Sequence, residues 1–228
     1  MNLKILNQLE DMFKTSPQIL RDEHKLRNAI QGVFGVWLDD ITFGHIGELL
    51  DKIDNKVLEQ YFTKVWQPEL KKYKYSGPAL VDEVNNLNPK NVLDVGCGYN
   101  EFRGNIHNLT GLDPYNPKAD IKQGIVDYTP DFTYDVVLCL GSINFGDTNK
   151  ILTELEHVVK LTSPGGKLFF RVNPGLKHDP MEADWIQFYD WTPTFIINTA
   201  DFLGVTVLDL RTDYKNRMYF VWGKQQSG

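Results

Sequence analysis

Apolar positions change their period partway along the chain. Over residues 1–86 they recur at helical spacing. Leu3, Leu6, Leu9, Met12 and Phe13 come first, then Ile19, Leu20, Leu26, Ile30 and Phe34, then Val57, Leu58, Tyr61, Phe62, Val65 and Trp66. Ser16-Pro17 predicts the start of a second helix, because serine can cap and proline is preorganised at the first helical position. Asp54 predicts the cap of a third helix, and Pro68 its end or bend. The glycine-punctuated aromatic stretches 32–37 and 43–47 predict a packed loop between helices.

From Pro78 the pattern differs. Leu80, Val81, Val84 and Leu87 predict a short helix. Apolar runs follow at 91–95, 109–113, 121–126, 134–140, 166–172, 205–211 and 217–222. Continuous apolar runs bounded by glycine suit strands buried on both faces, as in a parallel sheet. Only Thr212–Asn216 separates the last two runs. So short a connection makes a hairpin and turns the final strand antiparallel. The predicted fold is α/β: a seven-stranded, mostly parallel sheet with an antiparallel last strand, behind an N-terminal helical segment. The predicted boundary gives a helical segment over 1–77 and a sheet domain over 78–228.

Composition narrows the classes. The 228 residues are 42% hydrophobic and 24% charged, enough for a core without disulfides or metals. A formal charge of −6 gives no general attraction to phosphate backbones or anionic membranes. Cys97 and Cys139 sit in apolar, strand-like settings and read as reduced core or pocket residues. His24, His45, His107 and His157 lack metal-ligand spacing, so no metal is expected. The first residues lack the apolar core of a signal peptide, and no stretch reaches membrane-spanning length. The expected location is the cytoplasm.

The chemistry concentrates where the strand Val92-Leu93-Asp94-Val95 runs into Gly96-Cys97-Gly98. Glycines let a backbone approach a ligand closely and take positive φ. A dinucleotide fingerprint needs glycine at 101, where this chain has Glu101, and no Gly-Lys-Ser/Thr of a P-loop follows. Acids stand in the place of phosphate-binding groups. Asp94 precedes the turn. Asp113 ends the next run at the distance where a carboxylate meets ribose hydroxyls. Asp127 ends the third run and could accept from an exocyclic amine.

In these residues the chain resembles the class I S-adenosylmethionine-dependent methyltransferases over roughly 78–224. Val92–Gly98 resembles the family's first motif, with Asn100 where a third glycine often stands. Gly111-Leu112-Asp113 resembles the second and Gly124-Ile125-Val126-Asp127 the third. Phe132–Cys139 is similar to the fourth strand, and Leu152–Leu168, with Pro164-Gly165-Gly166, to the helix and turn before the fifth. The resemblance implies S-adenosyl-L-methionine as cofactor and a Rossmann-like sheet. It implies that Asp94, Gly96, Cys97, Gly98, Asp113, Pro114, Val126, Asp127, Cys139, Leu140 and Gly141 line the cofactor site. Tyr75 is expected to close over its methionine part.

The acceptor side is less defined. Leu140–Gly146 lies where the methyl group would be presented. Within it Asn144 is a candidate polar contact to substrate, or a helix cap. The family's Asp/Asn-Pro-Pro-Tyr/Phe motif of nucleic-acid amine methylation is absent. His178 is a candidate base or a surface histidine. Trp185, Phe188, Tyr189 and Trp191 either roof a substrate pocket or pack a helix on the sheet. Lys64, Trp66, Lys71, Lys72, Tyr73, Lys74 and Tyr75 form a basic-aromatic run, which is either a nucleic-acid contact or a solvated face. The expected activity is direct in-line methyl transfer to a small molecule, with nucleic-acid or protein acceptors left open. The alternative is a catalytically silent methyltransferase-like binding or assembly module.

Overall fold

A computed structural model describes residues 1–41, 44–67, 77, 79–175, 180–213 and 216–226. The chain divides into two units, Met1–Trp66 with Lys177–Gln187, and Gln67–Leu176 with Phe188–Gly228. No helix among the described residues is long and apolar enough to cross a membrane.

The first unit is helical. Helix α1 spans Leu3–Thr15, α2 Glu23–Phe34 and α3 Ile46–Gln60, each burying one stripe: Ile5 and Leu9, Leu26 and Ile30, Ile53 and Val57. Asn2 caps α1 by accepting from the Lys4 and Ile5 amides. Its own amide nitrogen donates to Asp54 Oδ1 at 2.8 Å and to the Trp185 carbonyl at 2.7 Å. Asp54 is therefore not a cap. It lies inside α3, which begins well before it, and serves as Asn2's acceptor. The Ser16 side chain caps nothing either. Pro17–Arg21 forms a 3₁₀ turn, and Asp22 caps α2 by accepting from the Lys25 amide. Trp185 packs edge-on against Phe34, with ring centroids 4.8 Å apart.

The second unit holds a six-stranded sheet. Helix α4 spans Ala79–Asn85, β1 Val92–Val95, β2 Leu109–Leu112, β3 Tyr134–Leu140, α5 Thr148–Leu161, β4 Thr162–Val172, α6 Pro193–Phe202, β5 Val205–Thr212 and β6 Met218–Lys224. The strand order is β2-β1-β3-β4-β6-β5. The first four strands pair in parallel; β6 is antiparallel to both β4 and β5. The central strands are covered on both faces, which is why they read as largely apolar runs, whereas the edge strand β5 is only partly buried. One face carries Leu93, Val137, Phe170 and Phe220 under α5 and α6; the other carries Val92, Leu138 and Phe169 under α4. Arg171 of β4 donates from Nε to Asp213, which follows β5, at 2.5 Å, tying the terminal hairpin to β4.

The predicted seventh strand does not form. Over 121–126 only a single bridge, Ile121 to Leu112, pairs with the sheet. Ile125–Asp127 instead makes a 3₁₀ turn that drops Ile125 into the core. That bridge is parallel, with the Ile121 N–H on the Gly111 carbonyl and the Asp113 N–H on the Ile121 carbonyl, each at 3.1 Å. The polar Lys122-Gln123-Gly124 then leaves too little apolar surface to bury a strand on both faces.

Helix α5 runs into β4 without a loop, so its last carbonyls need partners. Lys224 supplies them. Its Nζ donates to the Val159 and Thr162 carbonyls at 2.9 and 2.7 Å, and its cation sits at the negative end of the helix dipole. Lys224→Met should cost about 1–2 kcal/mol. In thermal unfolding that is a fall in Tm of about 2–8 °C.

Candidate cofactor site

Strand order reverses between β1 and β3, and in open α/β sheets this is where ligands bind, beyond the strands' carboxyl ends. The glycine turn sits there. Gly96 has φ +67° and its N–H donates to the Leu112 carbonyl at 2.7 Å; the Cys97 N–H uses the same acceptor at 3.1 Å. A Cβ on Gly96 would run into the Cβ of Ser142 in the loop after β3. Only glycine allows that approach. Gly98 also has positive φ and donates its N–H to Asp113 Oδ2 at 3.0 Å.

Asn100, the departure from the family pattern, has φ +56°. Asparagine tolerates this left-handed conformation better than other side chains, so the backbone here keeps the shape a glycine would give it. Its Nδ2 donates to the Lys118 carbonyl and to Asp120 Oδ2, each at 3.1 Å. Asp120 also accepts the Gly111 N–H at 2.9 Å and pairs with Arg103 at 2.8 Å. A Cβ on Gly111 would lie 2.7 Å from the Asn100 amide oxygen. Gly111 is thus the space into which Asn100 fits, and Asp120 the acid that braces the turn. Sequence reasoning missed Asp120 because no local pattern links it to Asn100.

The acids differ in environment. Asp94 is 4% exposed and has no hydrogen-bond or ion-pair partner among the described residues. Burial, and then the nearby Asp113 carboxylate, push its pKa up to about 8. Asp113 is well supplied with donors. Its Oδ1 accepts from the Tyr115 and Asn116 amides, both at 2.8 Å, and its Oδ2 from Gly98. A carboxylate offers about four lone-pair sites, so Asp113 keeps room for one more donor rather than for both hydroxyls of a diol. The Cys97 thiol is pushed far up by burial and by Asp94, Asp113 and Asp120, which removes it as a nucleophile. Cys139 has no exposed surface and packs in the core.

The remaining predicted residues lie around this turn or elsewhere. Pro114 is exposed just after Asp113. Val126 and Asp127 are exposed on the 3₁₀ turn. Leu140 and Gly141 end β3 and open the loop that carries Ser142. Asn144 is 2% exposed; its Oδ1 accepts the Asn173 N–H at 2.8 Å, so it neither caps a helix nor offers that oxygen to a ligand. Asp147 caps α5 instead. Asp135 accepts the Lys90 N–H at 2.7 Å. The aromatic cluster divides. Trp185 belongs to the helical unit, Trp191 and Tyr189 pack on Phe195 of α6, and Phe188 meets Phe145 edge-on at 5.6 Å. Tyr75, His178 and residues 71–74 of the basic run lie outside the described residues.

Neither a family model nor a curated protein matches the sequence. Solved structures do match the fold. A 1,6-didemethyltoxoflavin-N1-methyltransferase of Burkholderia thailandensis, with bound 1,6-didemethyltoxoflavin and S-adenosylhomocysteine, aligns with a TM-score of 0.60 at 16% identity, over 83% of this chain and 95% of that one. The N-methyltransferase NodS of Bradyrhizobium japonicum WM9, in complex with S-adenosylhomocysteine, aligns at 0.52 and 15% identity, over 73% and 96%. A S-adenosylmethionine-dependent methyltransferase of Clostridium acetobutylicum aligns at 0.51 and 14%, over 75% and 98%. The chain spans 56% of the length of an O-methyltransferase family protein of Burkholderia thailandensis that it also matches. The chain has the fold of the S-adenosylmethionine-dependent methyltransferases.

Proposed function

We propose that this chain binds S-adenosylmethionine at the Gly96–Gly98 turn and transfers its methyl group to a small-molecule acceptor. The observation that carries the proposal is Asp94, a buried carboxyl without a hydrogen-bond or ion-pair partner among the described residues, at the strand end beside the turn. Such a group is costly to ionise unless a cation arrives. The residues present fit the cofactor. Asp94 would face the methionine ammonium, and the remaining lone pair of Asp113 would take one ribose hydroxyl. Val126 and Asp127 would meet the adenine, Leu140 and Gly141 would flank it, and Tyr75 would close the methionine end. The absence of a nucleic-acid amine-methylation motif supports a small acceptor, as do relatives in fold that act on small molecules.

When bound, the cofactor supplies a sulfonium-activated methyl group that needs no further activation by the protein. The chain's own task is alignment and exclusion of water. The loop after β3 borders the turn through Ser142 and Gly96. It contains no histidine or cysteine, and its acid Asp147 is engaged as a helix cap. This suits an acceptor that is already deprotonated or loses its proton readily.

Calorimetry with S-adenosylmethionine and S-adenosylhomocysteine tests this reading. Binding by the wild type, weakened about tenfold or more by Asp113→Ala, is expected. No binding, or undiminished binding by that variant, would contradict it. Binding without methylation of any acceptor in a broad panel of phenols, amines and carboxylic acids would favour the silent-module reading.

Asp94 adds a pH dependence. In the free protein it is protonated below about 8, so a cation that requires the carboxylate must first displace a proton. S-adenosylmethionine affinity should fall about tenfold per pH unit below that value. Asp113, Cys97 and Cys139 are the other titratable groups facing Asp94. Asp94→Asn should bind weakly and lose the pH dependence.

Stability should move the other way. A raised folded-state pKa means the native state holds a proton the unfolded chain releases, so stability is lost as pH rises from about 4 to about 8. Asp94→Asn should therefore raise Tm at pH 7.5, on the order of 5 °C or more, with the gain vanishing near pH 4.

A further inference from the structure

Three loop segments of the second unit meet at one side chain. Ile143–Phe145 follows β3, Asn173–Pro174 follows β4, and Phe188–Trp191 precedes α6. None belongs to the sheet; only the bridges Phe145 to Phe188 and Pro174 to Asp190 link them as strands. Asn144 lies where all three converge. Its side-chain Oδ1 accepts the Asn173 N–H at 2.8 Å and its backbone carbonyl accepts the Tyr189 N–H at 2.8 Å. Beside it, Trp191 Nε1 donates to the Ile143 carbonyl at 3.1 Å.

Two residues earlier the same loop touches the glycine turn. Ser142 lies so near Gly96 that no Cβ fits between them. The Ser142 hydroxyl is buried and finds no hydrogen-bond partner among the described residues. A loop free to choose its position would move to satisfy that hydroxyl or expose it to water. Its place is therefore imposed by fastenings elsewhere, and Asn144 is the residue that carries them from both neighbouring segments.

We propose that Asn144 is a positioning residue: its side chain anchors the loop after β3 to the end of β4 and so sets how closely that loop approaches the cofactor turn. The sequence places Asn144 where a substrate contact is expected. With 2% exposure and its oxygen committed to Asn173, it acts through the loop instead. This inference rests on the reading of the Gly96–Gly98 turn as the cofactor site.

The test compares four variants with the wild type in S-adenosylhomocysteine calorimetry, thermal unfolding and amide hydrogen exchange. Asn144→Leu keeps the side chain's bulk and removes the acceptor. Asn144→Ser is a milder lesion whose hydroxyl falls short of Asn173. Asn144→Asp keeps an acceptor oxygen. Lys224→Met lowers stability far from the turn and serves as the control.

Asn144→Leu and Asn144→Ser should bind S-adenosylhomocysteine about tenfold or more weakly, with faster exchange at the Tyr189 amide, whose own acceptor is untouched. Asn144→Asp should stay within about threefold of the wild type. Lys224→Met should lose Tm but not affinity. The proposal is overturned if Asn144→Leu or Asn144→Ser binds like the wild type. Affinity that tracks Tm across all variants, Lys224→Met included, also overturns it. If the wild type itself does not bind, the cofactor reading fails and this inference falls with it. If the wild type binds and Asn144→Leu and Asn144→Ser bind as well as it does, the cofactor reading stands and this inference alone fails.

Discussion

Burial of a carboxyl at the end of β1 is the constraint around which the sheet's carboxyl edge is organised. Asp94 is flanked in register by Gly111 on β2 and Leu138 on β3, so neither neighbouring strand offers it a charge. The nearest ionisable groups are Asp113 and two thiols, which oppose its ionisation or leave it unchanged. The neutral acid is the low-energy form. The same burial that weakens the free fold at neutral pH would suit the cation proposed to bind there, an exchange of stability for function.

The turn beyond Asp94 is held rigid from outside. The Asp113 carboxylate takes the Gly98 N–H while two amides of its own loop hold it in place. Asp120, in the loop after β2, braces the turn through Asn100, and Ser142, in the loop after β3, closes against Gly96. Each strand adjoining β1 thus contributes one wall, and a ligand entering there meets backbone and carboxyl groups already in position. Preorganisation of this kind is the main thing an alignment-driven transfer asks of a protein.

Much of this was legible in the sequence because the sheet is buried on both faces. The runs ending at Val95, Leu140 and Val172 are largely apolar, and the brief connection before β6 implied its reversal. Elements failed to be legible where a distant partner decides them. Asp54 has the look of a cap, yet it answers to Asn2 across the helical unit. Residues 121–126 carry enough apolar character to suggest a strand, but only Ile121 pairs with β2 before the polar Lys122-Gln123-Gly124. At the site, the residue types of Asp94, Gly96 and Asp113 were readable from spacing alone. What those acids can do was not. The Gly98 amide on Asp113, the surroundings of Asp94 and the contact of Asn144 with Asn173 all depend on segments apart in sequence. Asn100 read as a missing glycine; its left-handed backbone makes it a substitute for one.

Everything proposed for this site turns on Asp94 being neutral in the free protein and ionising for a cation. Carboxyl-labelled NMR titration of aspartate, assigned by comparison with Asp94→Asn, reads this directly. Asp94 should titrate near 8 in the free protein and be ionised at neutral pH once S-adenosylmethionine is bound. An Asp94 already ionised at pH 6 in the free protein, or unchanged on adding the cofactor, would contradict it.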